Sequence, residues 1–137
     1  MLLLDTSVWI DLLANRITGA VQFVLERRVS EELALTEMIY LEVLQGISDP
    51  KVFEKTQTIL GAQTILLPVD GLASFEAAAR LYSRSRSQGL TMRTAVDCLV
   101  GQLALEHNAL LVHNDRDYLA LARVEPRLRV FPAPAIH

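Results

Sequence analysis

Apolar residues along this chain fall into two alternating textures. Short unbroken runs bounded by polar residues read as strands buried on both faces: residues 1–5 (MLLLD), 33–35, 64–69 (TILLPV), 109–112 and 128–131. Between them the apolar positions recur at helical spacing. Thr6 or Ser7 can cap a helix running to about Ala14, and a second amphipathic helix spans about 18–29. Thr36 caps a third, to about Ile47, and Asp49-Pro50 opens a fourth, since proline suits a first helical turn. A long helix over about 71–88 ends at Gly89, the next runs from Thr94 to His107 with Asn108 as its stop, and a short one covers 115–122. Strands alternating with helices predict an α/β fold: a single domain with a central parallel sheet of four or five short strands, flanked by helices on both faces.

At 137 residues the chain has room for one domain, placed at 1–131, with 132–137 (PAPAIH) as a short loose tail. A hydrophobic fraction of 51% is enough for a proper core and excludes gross disorder. No apolar run reaches the roughly 18 residues of a membrane span. Asp5 interrupts the opening run and no basic segment precedes it, so no signal peptide is expected. One cysteine, Cys98, excludes an internal disulfide framework and a multi-cysteine zinc site. The expected compartment is the cytoplasm.

Thirteen basic against sixteen acidic residues give a net charge of −3, so bulk charge does not grip nucleic acid here. The distribution is less even than the sum. Arg80, Arg84, Arg86 and Arg93 follow one another with no acid between Glu76 and Asp97, which reads either as a solvated helix face or as a local basic surface. Aromatic residues, at 6%, are too few for a base-stacking platform.

Ligands of parallel sheets bind beyond the carboxyl ends of the strands. Asp5 follows the first strand and Asp115 the fourth, although an aspartate at the start of a helix also serves as its cap. Glu42 (in MIYLEVLQGI) and Asp97 (in TAVDCLVGQLAL) are harder to account for, because each stands mid-helix among apolar neighbours, where an ionised carboxylate is costly. Arg93 can neutralise Asp97 from one turn away. A glycine follows each acid four residues on, Gly46 and Gly101. Since helical side chains lean back toward the N-terminus, glycine there would leave the carboxylate uncovered. Close helix packing is the other use of such a glycine.

Carboxylates converging on one cleft raise one another's pKa unless a cation is present. Hard oxygen donors without a Cys/His set select Mg²⁺ or Mn²⁺, which keep sites for water and phosphate oxygens. The chemistry so implied is metal-dependent phosphodiester hydrolysis.

In order along the chain, the segments LLLDTSVWID, LTEMIYLEVLQG, TAVDCLVGQLALEHNALLVHNDRDY and RLRVF resemble the PIN-domain family, and within it the VapC-type ribonuclease toxins of bacterial type II toxin–antitoxin pairs. The resemblance implies an acidic quartet holding Mg²⁺ or Mn²⁺ for cleavage of single-stranded RNA in a tRNA or rRNA loop, carried here by Asp5, Glu42, Asp97 and Asp115. It makes Thr6 or Ser7 the supporting hydroxyl and leaves Asp117 as an alternative fourth acid. Many relatives have Thr or Ser near the end of the fourth strand, where this chain has Val112-His113. His113 is then expected on the rim of the cleft and not as a general base. A homodimer and a VapB-like antitoxin, which lays an apolar helix in a groove and aims a basic side chain at the acids, are the implied partners. The complex would be a heterotetramer or larger.

Arg80, Arg84, Arg86, Arg93 and Arg116 are the candidate phosphate contacts. The apolar faces of Trp9, Ile10, Leu12 and Leu13, or of Ile39, Tyr40, Val43 and Leu44, can serve the core, a dimer or a partner. A haloacid-dehalogenase phosphatase needs a second Asp where Ser7 stands. A receiver domain needs a late lysine, and the only lysines are Lys51 and Lys55. A non-catalytic PIN-like module binding RNA or protein is the alternative reading, against which stands the retention of every acid.

Overall fold

The computed structural model describes residues 1–90 and 92–135. Residues 136–137 of the expected tail lie outside the described residues. Five strands, β1 (Leu2–Leu4), β2 (Leu33–Thr36), β3 (Thr64–Leu66), β4 (Leu110–Val112) and β5 (Val130–Phe131), form one sheet. Its order is β3-β2-β1-β4-β5 and every pair is parallel. Burial on both faces is why these strands are continuous apolar runs. Leu2, Leu3, Leu4 and Leu111 are all fully buried.

Helices α1 (Thr6–Leu13), α2 (Gly19–Arg27), α3 (Glu37–Gln45) and α4 (Pro50–Gly61) connect β1, β2 and β3, with α1 packed on α2 and α3, and α3 on α4. Helices α5 (Leu72–Ser87), α6 (Ala95–Glu106) and α7 (Arg116–Val124) pack mutually as a second group. Right-handed crossovers put connections on opposite faces when the chain moves in opposite directions across the sheet, which places the two groups on opposite sides. The helix signals in the sequence have their expected geometry. Thr36, Asp49 and Thr94 accept hydrogen bonds from backbone N–H groups of their first turns. Gly89, at φ +76°, closes α5 with Leu90 N–H donating to Ser85 O at 2.9 Å.

Three expectations need correction. The helix α1 has Asp5 and not Thr6 or Ser7 at its cap position. Strand β3 stops at Leu66, because Pro68 cannot donate to a ladder; Leu67 O instead accepts from His107 Nε2 at 2.7 Å, and Val69 N–H donates to Glu106 Oε1. Gly101 is buried, and a Cβ on it would lie 2.7 Å from Leu121 Cδ2. It permits close packing of α6 on α7 and uncovers nothing. Gly46, exposed, is simply the C-cap of α3. No helix among the described residues is long and apolar enough to cross a membrane.

Candidate active site

The strand order reverses direction between β1 and β4, and at such a switch point the two following loops splay apart to leave a crevice. Leu4 and Val112 pair in register, and Asp5 N–H donates to Val112 O at 3.0 Å. The residues just beyond these strands are therefore held side by side. An open cleft of about 990 Å³ lies there. Asp5, Thr6, Ser7, Glu42, Asp97, Asp115 and Asp117 all line it, as do Arg93 and Arg116. The seven arrive from five places in the fold: the end of β1, the first turn of α1, the middle of α3, the first turn of α6 and the start of α7.

Within the cleft the acids are not equivalent. Asp97, Asp115 and Asp117 each offer an oxygen within 4.8 Å of the other two. Asp5 reaches this triad through Tyr118, whose hydroxyl stands 3.0 Å from Asp5 Oδ1 and 3.3 Å from Asp97 Oδ1. Glu42 stands on the wall formed by α3, where Thr6 Oγ1 donates to its Oε1 at 3.0 Å. The capping use of Asp115 is also real: its Oδ1 accepts from Asp117 N–H at 2.9 Å. Asp5 makes no such side-chain cap.

Electrostatics follow from this crowding. Burial pushes Asp97 up to about 6, and the charges of Asp5, Asp115 and Asp117 add to the rise. Asp5 is raised for the same reason, burial first and then the charges of Glu42 and Asp115, against the lowering effect of hydrogen bonds from the Thr6 backbone and Tyr118. The site so built has an excess of negative charge and oxygen donors only. That donor set fits a hard divalent cation.

Arg93 partly answers the excess. Its Nε donates to Asp117 Oδ2 at 3.2 Å and its terminal nitrogen to Asp115 Oδ2. Arg93 therefore belongs to the acidic cluster itself and neutralises Asp115 and Asp117, not Asp97 by a contact one turn away. Arg116 is exposed at the mouth. Arg80, Arg84 and Arg86 do not line the cleft. Arg84 is committed to the end of α7, donating to Val124 O at 2.8 Å and to Glu125 Oε2, and Arg86 lies over the Tyr82 ring. Arg84 thus ties α5 to the end of α7.

His113 is not on the rim. It is buried, its Nε2–H donating to Pro132 O at 3.0 Å and its Nδ1 accepting from Asp115 N–H at 3.0 Å. Burial lowers its pKa, which suits the neutral ring that these two bonds require. The imidazole thus anchors the backbone of Asp115, and the first residue of the tail is tied in place. Tyr118 escaped the sequence reading although it closes the segment NDRDY. A tyrosine on the apolar stripe of a short helix needs a partner for its hydroxyl when buried, and that requirement was the available signal.

Known proteins share this chain's sequence pattern and fold. The family model for the PIN domain matches residues 2–124. The chain is 39% identical over 131 residues to "VapC ribonuclease Mb1587" of Mycobacterium bovis and, to the same extent, to "Ribonuclease VapC11" of Mycobacterium tuberculosis, covering 90% of this chain and 93% of each relative. Among solved structures, VapBC2 from Rickettsia felis, bound to a DNA fragment from its promoter, superposes with a TM-score of 0.72 at 16% identity, over 94% of this chain and 96% of that one. VapBC-1 from nontypeable Haemophilus influenzae gives 0.72 at 18%, over 94% and 95%. FitAcB from Neisseria gonorrhoeae gives 0.69 at 19%, over 96% of each chain. With the family model matched over residues 2–124 and 39% identity over 90% of its length, the chain belongs to the PIN-domain family, in the group of the VapC ribonucleases.

Proposed function

We propose that this chain is the toxin of a type II toxin–antitoxin pair, a Mg²⁺- or Mn²⁺-dependent endoribonuclease acting on RNA in the cytoplasm. The observation that carries the reading is the convergence of Asp5, Glu42, Asp97, Asp115 and Asp117 in one cleft at the ends of β1 and β4. It occurs in a chain 39% identical to proteins named ribonucleases. Asp97, Asp115 and Asp117 would hold the cation, with Asp5 adjoining through Tyr118 and Glu42 facing them across the cleft. A bound divalent cation acidifies a water and offsets phosphodiester charge.

The chain's own groups do the rest. Thr6 fixes the Glu42 carboxylate, Ser7 lines the same wall, and Arg93 and Arg116 offer positive charge to RNA phosphates at the mouth. With no aromatic platform lining the cleft, the preferred substrate is one whose exposed strand is already presented, a tRNA or rRNA loop. The nuclease unit is taken as 1–131, with 132–137 as its tail.

A VapB-like antitoxin is the partner supported by the fold's likeness to proteins solved as VapBC and FitAB complexes. A homodimer of this chain within a heterotetramer or larger complex is the matching assembly. The deciding experiment incubates the purified chain and Asp97→Ala with a mixed small-RNA pool, in Mg²⁺, Mn²⁺ or EDTA. Cutting that needs metal and is lost in the variant is expected. No cutting by the wild type in either metal, with RNA still bound, would favour the non-catalytic module.

A further inference from the structure

Tyr118 is fully buried, yet its hydroxyl meets two of the carboxylates that line the cleft, so its ring and its hydroxyl answer to different neighbours. The ring lies in the core beside His113, with centroids 5.5 Å apart. The turn that carries it is fixed independently of the acids it meets: Asp115 Oδ1 accepts from Asp117 N–H, and Asp115 N–H donates to His113, which is itself held by Pro132. The hydroxyl is thus delivered to a set point by the fold. At that point it meets Oδ1 of Asp5, from the end of β1, and Oδ1 of Asp97, from the first turn of α6.

The Asp5 and Asp97 carboxylates repel one another, and the Tyr118 hydroxyl is a hydrogen-bond partner common to both. A tyrosine placed only to fill the core would need one acceptor, and a backbone carbonyl would do. Here the single hydroxyl engages two carboxylates, each from an element that α7 does not follow in sequence. Resting on the metal-dependent reading above, we propose that Tyr118 is a positioning residue of the cation site. Its hydroxyl sets the spacing of the Asp5 and Asp97 carboxylates, and its contribution is to cation affinity and not to folding. Groups that orient ligating carboxylates in this way are worth about 10- to 100-fold in metal affinity.

The test compares wild type, Tyr118→Phe and Leu121→Ala, the last a packing change on the same helix. Mn²⁺ binding to the full chain is titrated by electron paramagnetic resonance, thermal unfolding is followed without metal, and RNA cleavage is measured across Mn²⁺ concentrations. For Tyr118→Phe the Mn²⁺ dissociation constant should rise about tenfold. The Mn²⁺ concentration for half-maximal cleavage should rise with it, while the rate at saturating Mn²⁺ is retained. Leu121→Ala should lower the melting temperature and leave Mn²⁺ binding alone. Wild-type affinity in Tyr118→Phe, an equal shift in Leu121→Ala, or a wild type that binds no Mn²⁺ would each overturn the proposal. A wild type that binds Mn²⁺ but cuts no RNA would instead sink the nuclease reading, and the binding constants would still decide the role of Tyr118.

Discussion

Gly101 of α6 and Leu121 of α7 are so close that a single added carbon on the glycine would lie 2.7 Å from Leu121 Cδ2. Leu121 is fully buried and has little room to yield. Gly101→Ala gains about 1 kcal/mol of helix propensity against an overpacking cost of about 2 kcal/mol, so it should destabilise by about 1 kcal/mol. Gly101→Leu should destabilise by about 3 kcal/mol in urea unfolding, with cleavage per folded molecule unchanged. Lost cleavage at undiminished stability would mean that the glycine opens the cleft after all.

Asp97 titrates near 6 in the folded chain against an ordinary 3.8. Between about pH 4 and pH 6 the native state therefore holds a proton that the unfolded state has released, and metal-free stability falls as pH rises through that window. Asp97→Asn removes the effect. Near neutral pH the variant should be the more stable by about 1 kcal/mol, the open cleft screening a shift otherwise worth about 3. Near pH 4 the two should coincide. His113, whose pKa is lowered by burial, works in the opposite direction in both proteins and drops out of the difference. Parallel curves across the whole range would refute the assignment.

Arg93 occupies Asp115 and Asp117 from an exposed position. A cation binding those carboxylates must compete with the guanidinium. Arg93→Ala should thus tighten Mn²⁺ binding several-fold, by order of magnitude in line with an exposed ion pair, while leaving the melting temperature nearly unchanged. If the released side chain meets RNA, the same variant raises KM for RNA. Weaker Mn²⁺ binding in Arg93→Ala would show that the arginine organises the acids instead of competing for them.

Arg84 and Arg116 should separate cleanly in a salt titration of RNA binding. Arg84 is tied to Val124 O and to Glu125, whose carboxyl is held at about 2 chiefly by its hydrogen bond from Arg127, with help from Arg84. Arg84→Ala should cost about 1 kcal/mol of stability and leave the salt dependence alone. Arg116→Ala should leave stability alone and flatten the slope of log K against log salt by about one phosphate contact. The reverse pattern would restore the basic face of α5 as the RNA surface.

The sheet was readable because its strands are short, mostly apolar runs, and the caps at Thr36, Asp49 and Thr94 because their chemistry is local. Glu42 and Asp97 stood out because charge on an apolar helical face demands an explanation, and Asp5 and Asp115 because they follow strands at the carboxyl edge of the sheet. What escaped was set by contacts distant in sequence. Whether Gly101 opens a cleft or seats a neighbour depends on where Leu121 comes to rest, and no spacing rule contains that. His113 looked peripheral because its two partners, Asp115 N–H and Pro132 O, become visible only when β4 and β5 are paired. Arg84 and Arg93 belong to one basic run, yet one serves α7 and the other the acids.

The alignment of β1 with β4 has a consequence for the life of the chain on the ribosome. Asp5 is among the first residues made, but the residues that meet it and complete its surroundings, Asp97, Asp115 and Tyr118, are among the last. Strand β1 has no neighbour on its β4 side until residues 110–112 have left the exit tunnel, and parallel pairing across so long a stretch forms late. A nascent or truncated chain ending before α7 therefore carries at most a fragment of the acid cluster. The acid cluster is thus complete only when synthesis of the chain is nearly so.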